Sequence, residues 1–97
     1  MPDSYTYRQV AATQGGTGTQ VTTGPCLLHS VVINSKGASS NLLTLYDTVG
    51  GTATCSTIAI IDTTASVGTL LYDIAVTRGL LAYSNAGTGA NYTVTFA

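Results

Sequence analysis

The chain has 97 residues, with three basic and four acidic side chains, no glutamate and a formal net charge of −1. This length suffices for one domain with a single hydrophobic core. Three scattered basic residues cannot form the cationic patch that binds a phosphate backbone, which argues against nucleic-acid binding, and the longest apolar run, Cys26 to Ile33, is too short to span a bilayer.

Eight short segments, taken in chain order, have the composition and the alternation of β-strands. Threonine, valine, isoleucine and tyrosine dominate them, and glycine-containing turns separate most of them. The predicted strands are 4–10, 19–23, 26–34, 41–47, 54–61, 69–76, 79–84 and 91–96. Short strands with such regular turns predict an all-β fold, an antiparallel β-sandwich of jelly-roll-like form with about eight short strands.

A glycine-rich stretch, 15–18, follows the first predicted strand. We therefore divide the chain into an N-terminal arm or first strand, 1–18, and a β-sandwich domain, 19–97. The arm interpretation has a consequence for stability. It predicts that a variant lacking 1–18 folds but binds its partner more weakly.

Tyrosine is the enriched interaction residue, and the N-terminal segment holds a pair of tyrosines on one face. Tyr5 and Tyr7 alternate with Thr6, and Arg8 follows them. Tyrosine combines a large apolar ring with a polar tip and is enriched at protein interfaces. Tyr5, Tyr7 and Arg8 are therefore the candidate partner interface. The alternative, an ordinary first strand, stays open.

The later strands alternate apolar and polar residues, and this alternation predicts the core. An aspartate at such a position would be buried without a partner and would prevent folding, which we expect for Ile60 and Val94. Strand 26–34 carries apolar residues on both faces, as a central strand does. The predicted core consists of Leu43, Leu45, Ile58, Ile60, Leu70, Tyr72, Ile74, Tyr92, Val94 and Phe96.

Candidate chemistry is sparse. Cys26 and His29 form a C-x-x-H pattern, but a zinc site needs three or four ligands, and strand alternation places these two on opposite faces. We therefore expect no metal and no cofactor. His29 is the single histidine and no nucleophile motif accompanies it, so we expect no enzyme activity.

Whether the two cysteines, Cys26 and Cys55, are reduced or form a disulfide depends on the redox compartment. The N-terminus has neither the basic region nor the apolar segment of a signal peptide, so we expect synthesis in the cytoplasm. Cytoplasmic synthesis favours two reduced, buried thiols. A disulfide between them is the alternative in an oxidising compartment.

From residue 42 onward, the order of strands and turns resembles a known class of proteins. The segments that carry the resemblance are Leu42–Asp47, Thr57–Thr64, Leu70–Leu80 and Ala90–Phe96. They resemble small β-sandwich virion structural proteins of tailed bacteriophages, which decorate or cement capsids or build fibres. The resemblance implies a non-enzymatic homo-oligomer, with a trimer among the arrangements, that contacts a major capsid protein on the capsid exterior.

Three functions are compatible with these features. The low charge and the absence of a catalytic set favour a capsid decoration or cement protein that binds the major capsid protein lattice and stabilises the shell. The alternative is a phage tail or fibre module with the same fold. A carbohydrate- or host-binding module ranks lowest, because the chain has no tryptophan and its tyrosines are scattered.

Overall fold

The computed structural model describes residues 5–10, 17–38, 41–50, 56–65, 67–85 and 89–97 of the protein. Within these ranges the secondary structure is β-strand without helix. The strands are β1 (Thr6–Val10), β2 (Thr17–Gln20), β3 (Cys26–Ser35), β4 (Leu42–Asp47), β5 (Ser56–Asp62), β6 (Gly68–Val76), β7 (Leu80–Ser84) and β8 (Asn91–Phe96). The predicted all-β sandwich is confirmed.

The strands form two four-stranded antiparallel sheets, in the orders β1-β8-β3-β6 and β2-β7-β4-β5. The chain folds back on itself about its middle, so that residues nearly equidistant from the two termini pair. Thr6 pairs with Phe96, Cys26 with Val76, and Asp47 with Ser56. One long antiparallel hairpin that is rolled into two sheets in this way has the strand order of a jelly roll.

The core lies between the sheets, and most of the predicted core residues lie in or against it. Leu43, Leu45 and Val94 are fully buried and Tyr92 is 3% exposed, while Ile58, Tyr72 and Phe96 pack against the core as partly buried residues. The other fully buried apolar side chains are Leu28, Val31 and Leu80.

The prediction for Ile60 is wrong, since its side chain is 63% exposed. A β-bulge is the reason: the pairing of β4 with β5 skips Ile58, which is the extra residue. An extra residue reverses the alternation along a strand. Ala59 and Ile61 therefore join Ile58 on the core side, and Ile60 points outward.

The prediction for Leu70 is also wrong, since its side chain is 40% exposed. Leu70 pairs with Val31, whose side chain is fully buried. However, β6 is the last strand of its sheet. Leu70 therefore has no neighbouring strand on one flank, and alternation alone cannot detect this.

A second bulge explains why β3 carries apolar residues on both faces. The β8 partners of Leu28 and Ser30 are adjacent residues, so His29 is the extra residue of β3. Leu28 and Val31 are both fully buried, although they are three residues apart. β3 also has the central position that its composition predicts, between β8 and β6.

Residues 6–10 form an edge strand that is part of the first sheet. β1 pairs with β8 along its whole length, and Val10 is buried in the core cluster. Residues 17 and 18 begin β2, which pairs with β7. Removal of 1–18 would therefore take a strand and a core residue from the sandwich. The expectation that such a variant folds does not follow from this arrangement.

One end of the sandwich is closed by Asn41, which is fully buried. Its Nδ2 donates to Ser84 Oγ at 2.9 Å, and its Oδ1 accepts from Thr63 Oγ1 at 2.6 Å. A Cβ atom on Gly37 would lie only 2.5 Å from Thr63 Oγ1, so this position requires glycine. Asn41 thus ties the β3–β4, β5–β6 and β7–β8 connections together.

The opposite end is closed by Asp47. Its carboxylate accepts backbone N–H groups of Thr77 at 3.1 Å, Arg78 at 2.8 Å and Gly79 at 3.3 Å. Desolvation raises the pKa of Asp47, but these hydrogen bonds together outweigh it and lower the pKa to about 2. Asp47 thereby holds the turn through which the chain passes from one sheet to the other.

Cys26 has a free thiol that is half-buried against the core. Thr22 Oγ1 donates to its sulfur at 3.6 Å. Cys55 lies outside the described residues, so the expectation of a second reduced thiol stays a prediction. In the described part of the chain, no helix has the length and apolar character to cross a membrane.

Candidate interaction surfaces

The outer face of the β1-β8-β3-β6 sheet carries exposed aromatic and apolar side chains. Tyr7 is 70% exposed and Leu71 is 69% exposed. They pair with Thr95 and Ser30, which join each other across the sheet through their hydroxyls at 2.6 Å. We define this surface, the tyrosine face, by five residues: Tyr5, Tyr7, His29, Leu71 and Asp73.

Three side chains, those of Tyr5, His29 and Asp73, meet at the centre of the tyrosine face. The Tyr5 ring stacks on the His29 imidazole, with centroids 4.0 Å apart and planes 12° from parallel. His29 Nδ1 hydrogen-bonds to Asp73 Oδ1 at 2.6 Å. The bulge in β3 brings His29 to this face, opposite an Asp73 with a φ of 52° in β6. A left-handed residue in a strand is typical of a bulge that redirects a side chain.

Neutral polar side chains complete the tyrosine face. Asn34 Nδ2 donates to Asn91 Oδ1 and to Thr93 Oγ1, both at 3.0 Å. Gln9 Nε2 donates to Asn91 Oδ1 at 3.1 Å. These side chains satisfy one another across three strands.

The structure brings together two of the three predicted interface residues. Tyr5 and Tyr7 lie on the tyrosine face, whereas Arg8 pairs with Val94 and projects from the other side of β1. Burial raises the pKa of Tyr92 to about 12, against the lowering effects of a hydrogen bond from Thr19 and of the positive charge of Arg8. The positive charge of Arg8 thus acts on Tyr92, on the core side of the sheet.

Sequence reasoning missed His29 and Asp73 as parts of this surface. They are 44 residues apart in the chain, and their meeting depends on the bulge in β3 and on the pairing of β3 with β6. No motif links them. The period-two alternation of β3 is the only sequence pattern that bears on His29. It predicts the face on which His29 lies but not which residues of other strands contact it.

The outer face of the β2-β7-β4-β5 sheet is a second candidate surface. We define this surface, the apolar face, by five residues: Leu42, Tyr46, Ile60, Leu81 and Tyr83. Ile60 and Tyr83 both pair with Thr44, so these three residues form one row across the sheet. Tyr46 pairs with Leu81 and forms the next row.

Leu81 is buried on the apolar face within the single chain. Its side chain is only 6% exposed, although it does not belong to the core cluster. Gly18, opposite Tyr83, leaves room for the two side chains: a Cβ there would lie 3.6 Å from Leu81 Cδ1 and from Tyr83 Cδ2. The tyrosine ring covers the glycine backbone, as aromatic residues do in designed sheets.

The acidic residues in the described part of the chain are all engaged by internal hydrogen bonds. Asp47 binds the β6–β7 turn and Asp73 binds His29. Asp62 accepts from Thr64 Oγ1 at 2.6 Å and Thr64 N–H at 3.0 Å, and these two bonds lower its pKa. Asp62 is the single formal charge among the described residues of the apolar face, and it lies at the margin.

A cleft of about 350 Å³ opens between the edge strands β5 and β6, beside Ile60. Its lining is mainly apolar and includes Ile33, Ile61, Val67 and Tyr72. Val67 is 54% exposed. The cleft extends the apolar surface from Ile60 around the edge of the sandwich.

The described residues offer little chemistry. They contain no group of three or more His, Cys, Asp or Glu side chains that could hold a metal ion. His29 and Asp73 have the geometry of a base and its orienting acid. The neighbouring hydroxyl of Ser30, however, bonds to Thr95.

Comparison of the chain with protein-family models, with curated proteins and with solved structures found no match.

Proposed function

We propose that the protein is a non-enzymatic structural component of a virion: a capsid decoration or cement protein that binds the lattice of a major capsid protein from outside. The observation that carries the proposal is the tyrosine face. It exposes Tyr7 and Leu71, both about 70% accessible, on a surface where the His29 ring hydrogen-bonds to the Asp73 carboxylate.

The dimensions of the molecule suit such a role. It is a slab of 35 × 29 × 17 Å, so a broad face offers roughly 1,000 Å², compared with about 800 Å² per partner in a stable interface. A bound slab stabilises the shell by mass action, because loss of a capsid subunit must also break the slab's contacts.

Particular side chains supply the contact in this proposal. Tyr7 and Leu71 provide exposed apolar area, and Tyr5 is held in place by its stack on His29. Aromatic anchors of this kind dominate binding energy at protein interfaces. Arg8 projects from the opposite side of the same strand and therefore lies outside this contact.

The test is co-sedimentation of the purified protein with shells stripped of their accessory proteins. We expect Tyr7→Ala to weaken binding by about tenfold or more, the effect of losing one aromatic anchor. Val49→Ala is the control, because Val49 is also an exposed apolar residue but belongs to neither broad face. Equal binding by the two variants, or no binding by the wild type, would contradict the proposal.

A tail or fibre module is the second candidate. It is favoured by the near-absence of unpaired charge from both broad faces in the described part of the chain, because such a slab can stack on copies of itself from either side. Immunogold labelling of intact particles separates the two. Labels spread over the shell support decoration, and labels confined to the tail support the fibre module.

A further inference from the structure

We infer that the apolar face binds the same face of a second copy of this chain across a two-fold axis. The inference goes beyond the proposed function, which concerns contact with a capsid lattice. It assigns a surface and a symmetry to a contact between two copies of the chain. Three independent features of the described residues lead to it: the charges, the arrangement of the rows, and the area.

The first feature is charge. In a two-fold interface each side chain near the axis meets its own copy, so an unpaired charge there would repel itself. The apolar face holds Asp62 alone among the described charges, at its margin and bound to Thr64. The described basic residues lie elsewhere: Arg8 in the other sheet, Lys36 after β3, and Arg78 in the turn after β6.

The second feature is the row formed by Ile60, Thr44 and Tyr83, with Thr44 in the middle. A two-fold axis through Thr44 places two uncharged threonine side chains opposite each other, so that no charge meets its own copy there. If the axis runs along the strands, Ile60 meets Tyr83 of the second copy. If it runs across them, Ile60 meets Ile60 and Tyr83 meets Tyr83. For either direction of the axis, apolar side chains lie opposite apolar side chains.

The third feature is area. The broad face of roughly 1,000 Å² exceeds the per-partner area of a standard interface, about 800 Å², whereas the narrow sides, with the 17 Å dimension, fall below it. Of the two broad faces, the tyrosine face has a polar lattice of asparagine, glutamine and threonine side chains. The apolar face has Leu42, Tyr46, Ile60 and Tyr83 around a buried Leu81. Among the described residues, Asp73 lies at the centre of the tyrosine face, whereas no charged group lies at the centre of the apolar face, and this difference favours the second face.

The test is sedimentation velocity of three forms of the full chain. We expect the wild type and Leu71→Arg to be dimers, because Leu71 is exposed on the opposite face. We expect Thr44→Arg to be monomeric, with a dissociation constant raised about 100-fold or more, because two arginines would meet at the axis. A monomeric or trimeric wild type, or a Thr44→Arg variant that stays dimeric, would overturn the inference.

Two further variants keep the result interpretable. If Thr44→Arg does not fold, Ile60→Arg replaces it, because the Ile60 side chain is already 63% exposed and a charge there needs no burial in the monomer. Thr44→Cys tests the axis directly, since we expect a short bismaleimide, which can span the roughly 10 Å between packed sheets, to link two copies rapidly. Leu71→Cys and the wild type, which share the native cysteines, are the controls, and equal crosslinking in all three would overturn the inference.

These measurements contain no capsid shells. A dimer that fails to bind shells would contradict the proposed decoration role and leave the two-fold interface in place. Shell binding by a protein that is monomeric in solution would contradict the two-fold interface and leave decoration in place.

Discussion

Ile58 decides at the scale of a single residue which isoleucines of β5 are buried. Because it is the extra residue of a bulge, Ile61 points to the core and Ile60 points to solvent. His29 is the extra residue of β3, so that Leu28 and Val31 are both buried although they are three residues apart. In both strands one extra residue thus changes which of the following residues face the core.

The bulge in β5 leads to a prediction that compares two aspartate substitutions. Val94→Asp buries a carboxylate in a fully enclosed site and should cost more than about 4 kcal/mol of unfolding free energy. Ile60→Asp leaves its carboxylate in water and should change that free energy by about 0.5 kcal/mol or less. Urea denaturation at low protein concentration measures both. Similar losses in the two variants would show that the strand register is wrong.

At the scale of the strands and their connections, each end of the sandwich is held by one polar side chain. Asn41 bonds to Ser84 and Thr63 at one end, and Asp47 bonds to the β6–β7 turn at the other. The jelly roll has no covalent tie between distant strands in its described part, so these groups fix which connections lie side by side. Their hydrogen bonds hold the connections at the two ends of the sandwich.

Asn41 supplies a prediction for which the chain offers a matched control. Asn41→Ala leaves the buried hydroxyls of Ser84 and Thr63 without their partner and should destabilise the fold by about 2–4 kcal/mol. Asn34→Ala also removes two hydrogen bonds, but at an exposed site, and should cost less than about 1 kcal/mol. Thermal and urea unfolding of both variants measure the difference. Equal losses of unfolding free energy in the two variants would show that burial does not determine how much this network stabilises the fold.

At the scale of the whole molecule, stability in acid depends on very few groups, since the chain has four aspartates and no glutamate. The folded pKa of Asp47 is about 2, below its ordinary value of 3.8. A carboxyl with a lowered folded pKa contributes stability above its unfolded pKa, and the contribution is lost as the pH falls toward the folded value. Acid sensitivity is therefore expected between about pH 4 and pH 2.

The corresponding prediction compares the wild type with Asp47→Asn. At pH 7 the variant should be less stable by about 1 kcal/mol, because the charged acceptor of three backbone N–H groups is lost at a partly exposed site. The difference should shrink as the pH falls from 4 to 2. Urea unfolding at several pH values measures it. A difference that is constant over this range would show that ionised Asp47 contributes nothing.

The amino-acid sequence determined the fold class of this protein. Threonine, valine and isoleucine in alternation, with glycine-containing turns, specify eight short strands and the sandwich, because strand propensity and alternation act within a few residues. The same alternation predicts that Tyr92 and Val94 lie in the core, and both are buried. Tyr5 and Tyr7 share a face because they are two residues apart.

Tertiary structure alone decided which residues meet. Alternation is a local signal, and a bulge that reverses it, as at Ile58, arises from the pairing of two strands. Likewise, Leu70 is exposed because β6 is the last strand of its sheet, and Thr44 lies between Ile60 and Tyr83 because β4 lies between β5 and β7. Strand order depends on contacts between residues that are far apart in the chain, and no local pattern encodes it.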